Sequence, residues 1–336
     1  MHKNNCFDTA RLIAALMVLI THHYALSGRP EPVFWGLESM GGIAVIIFFS
    51  ISGFLISKSA MACSDYTEFM SKRLRRLIPA LIPCAIFMYV IIGSFVNRDH
   101  LGDYLNIAVI NNIIKTITLT SVLHDGITTG FIHGGINGSL WTLPLEFLCY
   151  LIAGCVLIFN KNRVYFLVVF ILLLLVCVFI TGNNTGVYFS VPSWLYPLRG
   201  LSFFLGAVMA MTFDRWNDFK VKAFILAALS LWMYSYSDGG LEYNILGYIV
   251  ISFGTIALCT SIQDPLVKGR FDYSYGIYIY AFPVQQFVIN VIGMSFFAGM
   301  ITSIIATVTL AALSWHFVES RFLARKVEVK AFSPAL

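Results

Sequence analysis

The sequence predicts an all-α polytopic integral membrane protein of about ten transmembrane helices, with both termini cytoplasmic. Three observations predict it. Of 336 residues, 58% are hydrophobic and only 12% charged, half the charge of a soluble domain. The apolar residues gather into runs near the roughly 20 residues that one helical span needs. With the N-terminus inside and sides alternating, 18 of the 22 Lys and Arg fall on the inner face, leaving Arg29, Arg98, Lys115 and Arg199 outside. That asymmetry is the positive-inside pattern.

The expected spans cover 8–27, 37–57, 78–96, 138–159, 164–181, 195–213, 221–236, 243–262, 273–292 and 298–318. The first carries Arg11 within its apolar run and lacks a small-residue cleavage site, so it reads as a retained span and not a signal peptide. Segment 104–123 is apolar but contains Asn106, Asn111, Asn112 and Lys115, which suits an interfacial helix. The long connection 97–137 falls outside, as does 182–197. The latter holds Tyr188, Phe189, Trp194 and Tyr196, whose rings suit either sugar stacking or an interfacial aromatic belt. No repeat or appended soluble domain is evident, so residues 1–336 read as one domain. The seven cysteines are scattered without metal-ligand spacing and read as small buried hydrophobes. No metal is expected, and the net charge of +5 reflects topology more than nucleic-acid binding.

Ionisable groups inside apolar helices mark functional sites by default. Arg11 and His22 are eleven residues apart, close to three helical turns. They share a face, separated by roughly 16 Å along the axis. Neutral imidazole at His22 can take a proton from a hydroxyl; the competing reading is a buried hydrogen bond between helices. His23 sits about 100° further round. The Arg11 guanidinium suits phosphate, or snorkels to headgroups. Arg73 and Arg76 share a helical face in the basic stretch before Pro79, which suits a nucleotide-containing donor or an anchor on anionic lipid. In 137–150, Ser139, Thr142 and Glu146 give one polar helical face.

Together these segments resemble the membrane-bound acyltransferase family 3. Arg11 and His22 fit its Arg, ten residues, His spacing. Phe48 to Ile56 is similar to its FFxLSGFLI segment, with Ile51 in place of Leu. Arg73 to Pro79 resembles its basic RxxR stretch, and Ser139 to Phe147 its SLWSLxxE segment, with Thr142 for Ser. Ser274 to Pro283 is similar to SYxxYLxHxP, but Ala281 or Phe282 stands where many members have a second His. Trp315 to Arg321 resembles the closing W-x-(F/V)-(I/V)-E segment. Glu319 is expected to pair with a basic group there.

The resemblance implies transfer of acetyl from cytoplasmic acetyl-CoA to a sugar hydroxyl of a surface or exported glycan, free or lipid-linked, in a bacterial cytoplasmic membrane. His22 and Glu146 would be catalytic. Arg11, Arg73 and Arg76 would hold the donor, and Asn137, Ser139, Trp141 and Tyr275 the acceptor. An exporter of a small polar solute also fits midplane ionisable groups, although no inverted repeat supports it. A scaffold without chemistry leaves the Arg11–His22 placement unexplained.

Overall fold

Each of the ten expected runs contains a helix among the described residues of the computed structural model. The structure describes residues 5–120, 128, 131–158, 161–180, 187–188, 191–192, 195–237 and 239–323. Phe189 and Trp194 of the aromatic loop, Lys3, and Arg325, Lys326 and Lys330 of the tail lie outside the described residues. Among the described residues, six helices are long and apolar enough to cross a membrane. This is a mostly helical, multi-pass architecture.

Helix α1 (Phe7–Leu26) leads to a two-stranded hairpin, β1 (Val33–Phe34) and β2 (Glu38–Ser39), then to α2 (Met40–Ala62). Trp35 and Gly36 take left-handed φ of 53° and 66° in the hairpin turn, a backbone that glycine adopts freely and tryptophan only under constraint. Ser39 caps α2, its hydroxyl accepting from the Gly42 N–H at 3.2 Å. This turn sets Glu38 at the mouth of α2.

Helix α3 begins at Tyr66 and not at 78. Asp65 caps it by accepting from the Glu68 N–H, and arginine and lysine are good helix formers. The basic stretch therefore forms the first turns of a continuous helix. That helix runs through a π-helical turn at Phe87–Ile92 to Val96, so Arg73 and Arg76 sit on a rigid element and not on a connection. Helix α4 (Ile107–Ile117) follows. It buries Val109 and Thr116 and exposes Ile107, Ile110 and Ile114, the amphipathicity expected of an interfacial helix.

A 3₁₀ turn, Gly138–Trp141, opens α5 (Thr142–Ile158). Pro144 thus falls in the first helical turn, where its missing N–H has no partner to lose. Next come α6 (Val164–Ile180), the strands β3 (Val187–Tyr188) and β4 (Val191–Pro192), then α7 (Leu195–Met211), α8 (Phe219–Tyr234) and α9 (Leu241–Cys259). Helix α10 (Ser274–Gln286) continues through a π-helical turn to Val291. The last long helix is α11 (Phe296–Ser314).

Helix α2 is the hub, packing on α1, α5, α7 and α9; α10 packs on α1 and α11. Its approach to α7 depends on two glycines. A Cβ at Gly53 would collide with the Phe203 carbonyl, and one at Gly206 with the Ser50 carbonyl. Small residues let membrane helices approach this closely. Because the obstacle is backbone, no rotamer relieves it. Gly53→Ala is expected to destabilise by at least about 1–3 kcal/mol, read as a lower Tm in detergent. An unchanged Tm would contradict the packing.

One end of the bundle is basic and tied together. Cys6 N–H donates to Cys259 O, Lys222 to Thr260 and Ser261, and Lys161 to Cys63 O. Arg11, Arg73 and Arg76 belong to this end; His22 lies toward the other.

Candidate active site

Two cavities lie along α1, one reached by each of its ionisable residues. The smaller, about 40 Å³, is lined by Arg11, Ser52, Glu146 and Tyr275. The larger, about 230 Å³, is lined by His22, Trp141, Glu31, Glu38 and Arg199. Val45 and Tyr278 line both, so a wall one or two side chains thick separates them.

His22 sits in the larger cavity with Nδ1 3.4 Å from Ser139 Oγ. Its ring meets Phe282 edge-on, centroids 5.1 Å apart. Phe282, one of the two positions at which a second family histidine is expected, thus packs an apolar ring against His22. Ser139 is itself held. Its N–H donates to Asn137 Oδ1 at 3.1 Å, while the Asn137 amide donates to Ile279 O at 2.8 Å. The Tyr278 hydroxyl donates to Ser139 O at 2.9 Å. Asn137 therefore positions Ser139 from below and does not line the cavity. His23 faces away: it is fully buried, with Nε2 2.9 Å from Phe296 O at the start of α11.

Glu146 does not join His22. One carboxylate oxygen accepts from Ser52 Oγ at 2.8 Å and from the Tyr150 hydroxyl at 2.5 Å, which fixes it in the Arg11 cavity. Seven residues separate it from Ser139, roughly 10 Å along the chain axis. A shared polar face thus serves two cavities and not one. Tyr275 lines the Arg11 cavity too, its hydroxyl donating to Leu77 O at 3.1 Å. Of the residues expected around the acceptor, Ser139 and Trp141 adjoin His22, while Tyr275 lies on the Arg11 side.

The arginines are bridged by a residue to which the sequence assigned no role. Asp272 Oδ2 accepts from Arg11 Nη1 at 3.0 Å and from Arg76 Nη2 at 2.6 Å. Glu319 lies 3.6 Å from Arg76 Nη1, the basic partner expected for it. Burial by itself would push the Asp272 carboxyl up. Arg11 and Arg76, with the Ser274 hydroxyl, outweigh that and hold it well below the usual range. Arg73 stands apart from this network. Its Nη2 donates to Ser59 Oγ at 3.1 Å, and its buried Nε has no partner among the described residues. Arg76, by contrast, is already matched to carboxylates.

Sequence reasoning also missed Glu38, Arg199 and Tyr248 on the His22 side. Arg199 is 3% exposed and pairs with Glu38 at 3.1 Å. The available signal was Arg199 itself, a cation inside an apolar helix on the side where the others are scarce, which demands an acid.

Two cavities in a helical bundle, one lined by Arg11 and one by His22, share Val45 and Tyr278 as a wall. Residues 4–316 match the acyltransferase domain family known as acyltransferase 3, and the chain belongs to that family. It is 53% identical over 328 residues to an O-acetyl transferase of Shigella phage Sf6, covering 97% of this chain and 98% of that protein. It is 26% identical to nodulation protein 10 of Rhizobium leguminosarum bv. viciae, covering 95% and 92%. It is 25% identical to the O-acetyltransferase OatA of Staphylococcus aureus strain NCTC 8325, covering 97% of this chain and 58% of the relative. No solved structure matches. The protein is an acyltransferase, and family membership leaves the exporter reading without support.

Proposed function

We propose that this acyltransferase moves acetyl from cytoplasmic acetyl-CoA to a hydroxyl of a surface or exported glycan, free or lipid-linked. It would act from the bacterial cytoplasmic membrane, with about ten spans and both termini inside. The observation that carries the reading is the pair of cavities on one helix, Arg11 in one and His22 in the other, sharing Val45 and Tyr278 as a wall. The names of the phage and staphylococcal relatives support acetyl as the group and oxygen as its acceptor.

Acetyl-CoA would bring an activated thioester, and its phosphates would meet Arg73 first. Arg11 and Arg76 would exchange part of their hold on Asp272 for phosphate oxygens. His22 acts as general base: its neutral imidazole takes the hydroxyl proton as the sugar oxygen attacks the thioester carbonyl. The carbon–sulfur bond breaks, and the imidazolium returns the proton to the departing thiolate. Ester and free thiol are the products, so no net proton remains on the histidine. Ser139 orients the ring through Nδ1, and Trp141 offers the sugar an apolar face. Glu146 accepts from Ser52 and Tyr150 on the donor side of the wall.

Mass spectrometry of surface glycan from cells with and without the protein tests the reading. The account expects the acetyl increment to vanish with the gene and return with the wild-type copy. Identical acetylation in both strains would remove it.

A further inference from the structure

The larger cavity contains a carboxylate that the transfer chemistry leaves unused. Glu38 Oε1 accepts from Arg199 Nη2 at 3.1 Å and from the Tyr248 hydroxyl at 2.5 Å. Arg199 is braced in turn. Its Nη1 donates to Gly42 O at 3.2 Å, and its guanidinium lies 5.0 Å from the centre of the Tyr248 ring. Glu38 is therefore held through one oxygen by a permanent cation that is itself nearly fully buried.

The other oxygen is different. Oε2 lies against the bare Cα of Gly42, where any Cβ would displace it. It accepts no hydrogen bond from the described residues, and Glu38 lines the cavity. An ionised carboxylate offers about four lone-pair sites; neutralising Arg199 uses those of Oε1 and leaves Oε2 open. The same cavity presents His22, Trp141 and Glu31. Its volume of about 230 Å³ exceeds the roughly 150 Å³ that takes up benzene, so it has room for one sugar ring. Two glutamates against one arginine leave the cavity with an excess of negative charge, which disfavours an anionic sugar.

We propose that Glu38 is the acceptor-binding residue of this enzyme. Its free oxygen accepts a hydrogen bond from one hydroxyl of a neutral sugar bound in the cavity that His22 also lines. The inference rests on the acceptor site assigned above and names its substrate class and its anchoring group. Arg199 and Tyr248 are positioning residues that aim the carboxylate.

The test uses the full-length protein in lipid nanodiscs with radiolabelled acetyl-CoA. The acceptor is surface polysaccharide from the producing cells, stripped of its esters by alkali. In Glu38→Gln, the two donors at Oε1 keep the amide oxygen there, so the amide nitrogen falls where Oε2 stood. A charged acceptor becomes a neutral donor. The polysaccharide KM is expected to rise about tenfold, the loss of one charge-assisted hydrogen bond. The kcat and the KM for acetyl-CoA should stay within about twofold.

Gly42→Ala keeps the Glu38 side chain but forces its carboxylate to move, since a Cβ there would stand 2.8 Å from Cδ as well as against Oε2, and it should give the same KM rise. It carries the test if Glu38→Gln fails to fold. Folded variants with an unchanged polysaccharide KM would overturn the proposal while leaving the acetyl-transfer reading intact, as would a fall in kcat alone. No transfer to polysaccharide by the wild type would instead remove the acetyl-transfer reading, and this inference with it.

Discussion

Replacing His22 with alanine is expected to lower kcat by about 10²–10⁴-fold, the usual contribution of a general base, with little change in the KM for acetyl-CoA. The split follows from the geometry. His22 lies in the larger cavity, beyond Val45 and Tyr278 from Arg11 and Glu146, so on the proposed reading it would meet the acceptor and not the donor's charged end. An interaction made only in the transition state lowers kcat and kcat/KM together. Ser139→Ala should cost less, because its 3.4 Å contact with Nδ1 orients the ring without moving a proton. Equal transfer rates in wild type and His22→Ala, measured in membranes with radiolabelled acetyl-CoA, would end the general-base assignment.

The second large effect separates two arginines that share a helical face. Arg73→Ala is expected to raise the KM for acetyl-CoA by about one to two decades, as for one charge-assisted hydrogen bond, while the protein folds. Its only described side-chain hydrogen bond is to Ser59, and Nε has no partner among the described residues. Arg73→Lys should recover part of the loss, keeping the charge but not the fork. Arg76→Ala should act differently. It leaves Asp272 with Arg11 alone and deprives Glu319 of its one described ion-pair partner. Breaking a buried ion pair from one side costs about 3–5 kcal/mol, so this variant should lose folded protein before it reveals any donor affinity. Donor binding to purified, folded protein distinguishes the two. Unchanged affinity in Arg73→Ala would leave that residue as a topology anchor.

Much of this was legible in the residues, for definite physical reasons. Apolar runs of spanning length marked the helices, and the Arg11–His22 spacing followed from helical periodicity along one element. Pairings across the fold were not legible. Asp272 joins Arg11 and Arg76 from 261 and 196 residues away, and Glu38 meets Arg199 across 161. Local patterns carry no record of which buried acid meets which buried base. Glu146 shows the same limit: helical spacing put it on the face of Ser139 but could not say that Ser52 and Tyr150 would claim it. The start of α3 was missed for another reason. Its first three turns are polar and face the basic end, so hydropathy saw only the later part of a helix that Asp65 caps.

The central claim is that donor and acceptor meet from opposite sides of the membrane, through the Arg11 and His22 cavities. Sealed proteoliposomes of uniform orientation test it most directly, with radiolabelled acetyl-CoA on the face bearing Arg73 and alkali-deacetylated polysaccharide on the other. The account predicts label in the polysaccharide, lost in His22→Ala, and none when donor and acceptor exchange sides. Transfer only when both substrates share one side would contradict it.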